Sequence, residues 1–341
     1  MLILSAFTPF QPLIASLRLN MRVEVYDRAP SYWISSYKGN LIRLRDCHKS
    51  MKGLESASMV SIPYSENDKF MVSKVAASDN LKESILRAVD LIGGFGKAIQ
   101  PGDTVTIKPN LNTADPYPAS SDPAFLRALG ELLLEAGASK LRIVDSSMFA
   151  LKTCDVADDI GLCCVVGDLG IELVYLDEHD WVKRKFPKGT HMKSGSIGEP
   201  ALDGDKLVVV PCLKTHKFAR FTATMKSFVG WVSTRDRLKM HARRLETKIA
   251  DLASFFKPDL IVMDARKVFV TGGPASGHVE SPNLILASGD MVSIDVEGVR
   301  VLKSYNAKNR LSGDIWDLPQ IRHAAEIEIG ARSDEDIIVV S

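Results

Sequence analysis

From residue 59 onward the chain alternates short, nearly continuous apolar runs with stretches of helical period. The runs KFMVSKVAA (69–77), TVTIKPN (104–110), KLRIVDS (140–146), IELVYLD (171–177), KLVVVP (206–211), DLIVMD (259–264) and NLILASGD (283–290) read as strands. Between the first two, NLKESILRAVDLI (80–92) puts Leu81, Ile85, Val89 and Ile92 on one face, and Asn80 with Glu83 has the form of a capping box. Asp122 caps a second helix with Pro123 at its first position, and FLRALGELLLEAGA runs on to a stop at Gly137. Further helices are predicted at 236–256, 291–304 and 318–329. Strands separated by helices predict an α/β fold: a largely parallel, in part mixed, sheet flanked by helices, in one or two lobes.

Residues 1–58 have a different texture. They are rich in Arg, Ser and Tyr, show no clean period and carry no strong caps. The segment is therefore expected to be an N-terminal extension, peripheral to an α/β domain over 59–341. A chain beginning at Met59 should stay soluble and unfold cooperatively; aggregation or a non-cooperative melt would place the segment in the core instead. Its start, MLILSAFTPFQPLIASLRLNMR, is apolar but holds two prolines, and only seventeen residues precede Arg18. A membrane span needs roughly 20 apolar residues, and a secretory signal needs a basic segment in front of its apolar run. No membrane span and a cytoplasmic location are the expectation.

Charge adds one restriction. With 43 basic against 42 acidic residues, the net charge of +1 leaves no chain-wide footprint for nucleic acid. Any cationic site has to be local. The five cysteines (Cys47, Cys154, Cys163, Cys164 and Cys212) have no regular spacing and no CxxC pair. They predict neither a disulfide framework nor a zinc or redox motif, and read as small apolar residues of a reducing compartment.

Candidate chemistry collects after the strands. TVTI runs into Lys108-Pro109-Asn110, LRIV into Asp145-Ser146-Ser147, LVVV into the segment with Lys214 and His216, LIVM into Asp264-Ala265-Arg266, and LILA into Ser288-Gly289-Asp290. Ligands of open α/β sheets bind outside the carboxyl ends of the strands, so these five tails predict one shared site. A lysine directly after a buried run is costly unless its charge meets an anion or water, and this happens at both Lys108 and Lys214. From Lys214 to about Thr234 no period is visible, yet Phe218, Phe221, Phe228 and Trp231 occur there, which reads as a long ordered loop. A loop at 269–282 offers Gly272 and Gly273 as backbone donors for an oxyanion, although neither GK[ST] nor GxGxxG is present. His216, His241, Asp145 and Asp264 could converge on a metal, without the tight spacing that would signal one.

Several of these pieces occur together in a known family. IKPNL (107–111), DPAFLRALGELLLEAGASKLRIVDSS (122–147), PCLKTH (211–216), Met225-Lys226 to Gly230, Arg237, His241, PDLIVMDA (258–265), GGP (272–274) and ASGDMVSID (287–295) resemble, in order, the uncharacterised family numbered 362 among the domains of unknown function. Many of its members carry a ferredoxin-like module and are labelled iron–sulfur proteins. This chain lacks the CxxCxxCxxxCP runs of such clusters, so no iron–sulfur cluster is expected here. Where the family has Asn after the lysine, this chain has Ser227. More remotely, the arrangement resembles the nickel-dependent lactate racemase fold, whose enzymes place lysine and histidine around a nucleotide-derived cofactor.

The leading expectation is an enzyme acting on an anionic small molecule or organic cofactor by proton transfer or redox chemistry. Lys108, Asn110, Lys226, His241, Gly272 and Gly273 would bind the ligand. His216 would be acid, base or metal ligand, with Lys214, Asp145 and Asp264 completing the catalytic group. Lys214→Met is then expected to keep or raise stability while weakening binding. One alternative is a non-catalytic cofactor-binding or maturation protein, with a separate electron-transfer partner as one possibility. The other is binding of nucleic acid or an anionic partner through the basic residues of 214–244.

Overall fold

In a computed structural model, the described residues are 64–341, together with the backbone of three short strands nearer the N-terminus. Met1–Ser61 and Ile62–Ser341 form two separate units. In the first, β1 (Met21–Arg22), β2 (Trp33–Ser36) and β3 (Leu41–Arg43) pair antiparallel in sequence order. The remainder of the extension proposed over 1–58, and the boundary at Met59, lie outside the described residues.

The second unit is built on a sheet of twelve strands. Its strands are β4 (Ser65–Glu66), β5 (Lys69–Ala76), β6 (Thr104–Lys108), β7 (Lys140–Asp145), β8 (Glu172–Tyr175), β11 (Lys206–Val209), β12 (Cys212–His216), β13 (Arg220–Thr222), β14 (Leu260–Phe269), β15 (Val279–Glu280), β16 (Leu284–Ser288) and β17 (Ile337–Val340). A separate antiparallel hairpin comprises β9 (Trp181–Lys185) and β10 (Ser194–Gly198). The main path of the sheet runs β17-β5-β16-β14-β11-β6-β7-β8. Nine helices accompany it among the described residues: α1 (Leu81–Asp90), α2 (Pro123–Glu135), α3 (Thr153–Asp159), α4 (Leu162–Val166), α5 (Thr224–Ser227), α6 (Thr234–Ala242), α7 (Leu245–Ala253), α8 (Met291–Lys303) and α9 (Pro319–Glu326).

Burial on both faces explains the apolar runs. Val105, Ile107, Val208, Leu260 and Val262 join a core with α1 and α2 on one side, while Val144, Val209, Ile261 and Met263 join a second core with α7 and α8 on the other. Helix starts follow their sequence signals. Asn80 Oδ1 accepts from Glu83 N, Asp122 Oδ1 accepts from Ala124 N, and Asp290 Oδ1 accepts from Ser293 N.

Two sequence expectations need correction. The first is strand direction. β6, β7, β8, β11 and β14 run parallel, but β16 is antiparallel to both its neighbours, β14 and β5. The Ser288-Gly289-Asp290 tail therefore leaves at the opposite edge from the other four, and Asp290 caps a helix there. The second is the segment after Lys214, which is not an irregular loop. β12 continues the line of β11 past the sheet's edge, pairs with β14, and turns back through β13 into α5. Phe228 stacks on Phe256 at 4.3 Å between centroids, and Trp231 packs edge-on against both rings while its Nε1 donates to the Val144 carbonyl at 2.8 Å. Trp231→Ala should destabilise the domain by about 3–5 kcal/mol, read from denaturant unfolding.

Candidate functional site

Four parallel strands deliver their carboxyl ends to one edge, and a cavity of about 460 Å³ lies beyond it. Lys108, Asn110, Asp145, Lys214, His216, Lys226 and His241 all line it. Their states differ, and hydrogen bonding decides each one.

Lys108 ends β6 and is 1% exposed. Its Nζ lies 2.9 Å from Asp145 Oδ1 and donates to the Pro109 carbonyl at 2.5 Å. The carboxylate is held in turn by the N–H groups of Leu111 (2.9 Å) and Ser146 (2.8 Å). Burial lowers the Lys108 ammonium's pKa, and Asp145 pulls it back. The two charges form a satisfied buried pair. Asn110 Oδ1 accepts from Cys212 N at 2.7 Å, tying the tail of β6 to β12.

Lys214 is also engaged. Its Nζ donates to the carbonyls of Pro118 (3.0 Å) and Ala119. This changes the expectation for Lys214→Met. Removing the ammonium would strand two carbonyls of the 116–120 turn, so loss of stability is the physical outcome. Arg237 is a comparable case, because its guanidinium donates to Val232, Ser147 and Gly230 carbonyls, all at 2.6–2.7 Å. It frames the cavity as a strut.

Lys226 is different. It sits in α5, partly open to the cavity, with no hydrogen-bond or ion-pair partner among the described residues. Burial, followed by the charges of Lys214, Arg237 and Lys108, brings its ammonium down to about 7. What holds it in place is Asp295, a fully buried residue of α8. The two oxygens of that carboxylate accept from Thr224 N (2.7 Å) and Met225 N (3.1 Å), which fixes the first turn of α5. Burial raises the Asp295 carboxyl to about 7 against the pull of those donors. Asp295→Asn replaces one acceptor by an amide facing an N–H. It should weaken anion binding by roughly tenfold through displaced Lys226, checked by calorimetric titration with inorganic phosphate.

The two histidines are held in opposite tautomers. His216 Nδ1 accepts from the N–H groups of Phe218 (3.1 Å) and Ala219 (3.0 Å), so the neutral ring carries its proton on Nε2. Burial, and after it the charge of Lys226, keeps this ring from protonating across the ordinary histidine range. His241 Nδ1 faces the Arg237 carbonyl at 2.8 Å and must be the donor, which leaves a lone pair on Nε2. Its pKa is lowered as well, chiefly by burial. His216 is thus a hydrogen-bond donor to the cavity, whereas His241 is an acceptor.

Two hydroxyls that sequence reasoning missed complete the floor. Thr113 and Thr222 line the cavity, are 7% and 3% exposed, and their buried Oγ1 atoms have no hydrogen-bond partner among the described residues. Nothing in their local sequence distinguishes them.

Three other candidates lie away from the cavity lining. Asp264 accepts from Tyr117 Oη (2.6 Å) and from Arg266 Nε (2.9 Å) and a terminal guanidinium nitrogen (2.7 Å), in a structural cluster with Asp122. Gly273 has φ +69°, and a Cβ there would come within 1.8 Å of the Thr215 carbonyl. Its N–H donates to Ser276 O at 2.7 Å, so it cannot cradle an oxyanion. Gly272 shares this turn, with φ +77°. Neither Asp145 nor Asp264 orients His216. Among the described residues, no group of three His, Cys, Asp or Glu side chains is arranged to hold a metal ion.

The family described as "Domain of unknown function (DUF362)" matches residues 105–300, more than half of the chain. The chain belongs to this family. A thylakoid-associated protein of Synechocystis sp. (strain PCC 6803) is 26% identical to this DUF362 chain over 230 residues, covering 63% of the chain and 68% of that protein. Among solved structures, the lactate racemase apoprotein from Thermoanaerobacterium thermosaccharolyticum is similar at 15% identity and a TM-score of 0.36. That comparison covers 60% of the DUF362 chain, which spans about half (52%) of the racemase's length. No helix among the described residues is long and apolar enough to cross a membrane.

Proposed function

We propose that the chain is an enzyme that binds a small organic anion in this cavity and moves a proton on it. One observation carries the reading. Lys226 Nζ, His216 Nε2–H and the buried Thr113 and Thr222 hydroxyls have no hydrogen-bond partner among the described residues, and all four side chains belong to the lining of a single cavity, while the carboxylate there, Asp145, is already satisfied. Such a set suits an oxyanion, a carboxylate or phosphate group whose charge can also build up during reaction. The lone pair of His241 Nε2 is the base positioned for a neighbouring proton, and Lys226, poised near 7, can return one.

The test is solvent exchange. A panel of carboxylic and phosphorylated acids incubated with the chain in D₂O should include one that gains deuterium, followed by NMR. His241→Gln should slow that exchange by about 10²-fold or more, with affinity kept within a few-fold, whereas His216→Phe should weaken binding itself. Tight retention of an anion with no exchange anywhere in the panel would favour the non-catalytic binding protein. The nucleic-acid reading is weaker because several of the basic residues of 214–244 are engaged. Lys214 and Arg237 bind carbonyls, Arg220 pairs with Glu246 at 2.9 Å, and Lys239 pairs with Asp236 at 3.0 Å.

A further inference from the structure

The upper part of the same cavity says more about its ligand. Phe149, Phe218 and Leu238 are 63%, 60% and 54% exposed, the three most exposed large apolar side chains among the described residues. All three line this one cavity, although they come from the segment after β7, the turn between β12 and β13, and helix α6. Scattered exposed apolar residues are ordinary on a protein surface. Three from unconnected segments, gathered at one opening, are not scattered. Leu111, Met148 and Val229, less exposed than these three, add apolar surface to the same lining.

Volume points the same way. The donors of the floor would engage one carboxylate or phosphate group, yet about 460 Å³ is available. That falls within the roughly 300–1,000 Å³ of sites for larger organic ligands, in which apolar walls bury most of the molecule and a few polar groups fix its direction. Of the other charged side chains in the lining, Lys108, Asp145, Lys214 and Arg237 are engaged by protein partners, and the exposed Lys217 lies over the Phe218 ring with its Nζ 5.4 Å from the centroid, so the wall facing the remainder of the ligand is mainly apolar.

We infer that the ligand is a monomeric amphiphilic anion: one acidic head held by Lys226, His216, Thr113 and Thr222, and an apolar or aromatic body lying against Leu111, Met148 and Val229 and capped by Phe149, Phe218 and Leu238. This rests on the anion site proposed above and narrows its substrate class. Inorganic anions and short hydroxy acids would fill the floor alone. A lipid headgroup shares the head chemistry, but its body would remain in the bilayer and leave the wall uncovered.

The experiment compares matched probes on the full chain by calorimetry: acetate, inorganic phosphate, 4-phenylbutyrate, the neutral amide 4-phenylbutyramide, and vesicles with an anionic lipid. The aryl acid is expected to bind at least about tenfold more tightly than acetate and than its own amide. Replacing Phe149, Phe218 and Leu238 together by Ser, all at exposed positions, should shrink the advantage over acetate to less than about threefold. Acetate and phosphate binding as tightly as the aryl acid, or a rim variant with its advantage intact, overturns the amphiphile inference and leaves the anion site standing. Equal binding of the acid and its amide overturns the anion site instead. Binding to anionic vesicles without binding to the monomeric acid transfers the head chemistry to a membrane and overturns the inference as stated. Failure of every probe overturns both.

Discussion

Gly230→Ala should lower the stability of the second unit by about 3–5 kcal/mol and its melting temperature by roughly 10 °C. A Cβ at this position would lie 2.3 Å from Asp145 Oδ1 and 3.3 Å from Lys108 Nζ. Neither side can move aside cheaply. The Gly230 carbonyl is pinned by Arg237 at 2.7 Å and by Ser146 Oγ, and the Asp145 carboxylate is pinned by Leu111 N, Ser146 N and Lys108. Relief has to come from separating the ion pair, which leaves an uncompensated charge inside the protein, and that is the costly way to alter a buried pair. Anion affinity should fall with it, because Leu111 and Ser146, held by this carboxylate, shape the cavity wall. Thermal melts and phosphate titration of the variant check both parts. A variant melting within about 2 °C of the parent, with affinity unchanged, would mean that the pair repacks and that Gly230 has no such role.

How much of this was legible in the sequence depends on which force set each feature. The central strands were legible because burial on both faces leaves an uninterrupted apolar run, and β6, β7, β11 and β14 begin within one residue of their predicted positions. Strand direction was not, since a period of two is the same read either way, and so Asp290 was assigned to the wrong edge. The helix predicted at 236–256 is two helices, because Arg244 adopts φ +55° with no glycine or proline to announce the break. The hairpin of β9 and β10, the strand β17 and the short elements from β12 to α5 are stretches too brief or too mixed for a periodic signal. At the site, Lys108 and Lys214 stood out because a lysine after a buried run is costly to desolvate, and both line one cavity together with Lys226. Which of them is free could not be read, because their partners are backbone carbonyls and distant carboxylates. Thr113, Thr222 and Asp295 carry no such signature: two are neutral, and the third acts by holding the helix that bears Lys226.

The freedom of Lys226 leads to the second large effect, one that depends on pH. Its folded-state pKa is about 7, whereas the ordinary lysine value is 10.5. Between these two values the unfolded chain binds a proton that the folded chain does not, so this residue makes stability rise with pH across that window. Below about 7 both states are charged, and the folded protein carries the full penalty of holding an unpaired ammonium beside Lys214 and Arg237. Lys226→Met removes that penalty and leaves no carbonyl or carboxylate stranded. The variant should therefore be more stable than the parent by about 1–3 kcal/mol at pH 6, with the gap closing as pH rises toward 10. In the same variant, affinity for inorganic phosphate should drop by at least about tenfold. Stability gained where binding is lost is the behaviour of a residue kept for its ligand, whereas a structural cation loses both. Denaturant unfolding of parent and variant at intervals from pH 6 to 9.5 gives the decisive comparison. A gap that stays constant over that range, or a variant less stable at pH 6, would mean that Lys226 has a structural partner and is not a free cation.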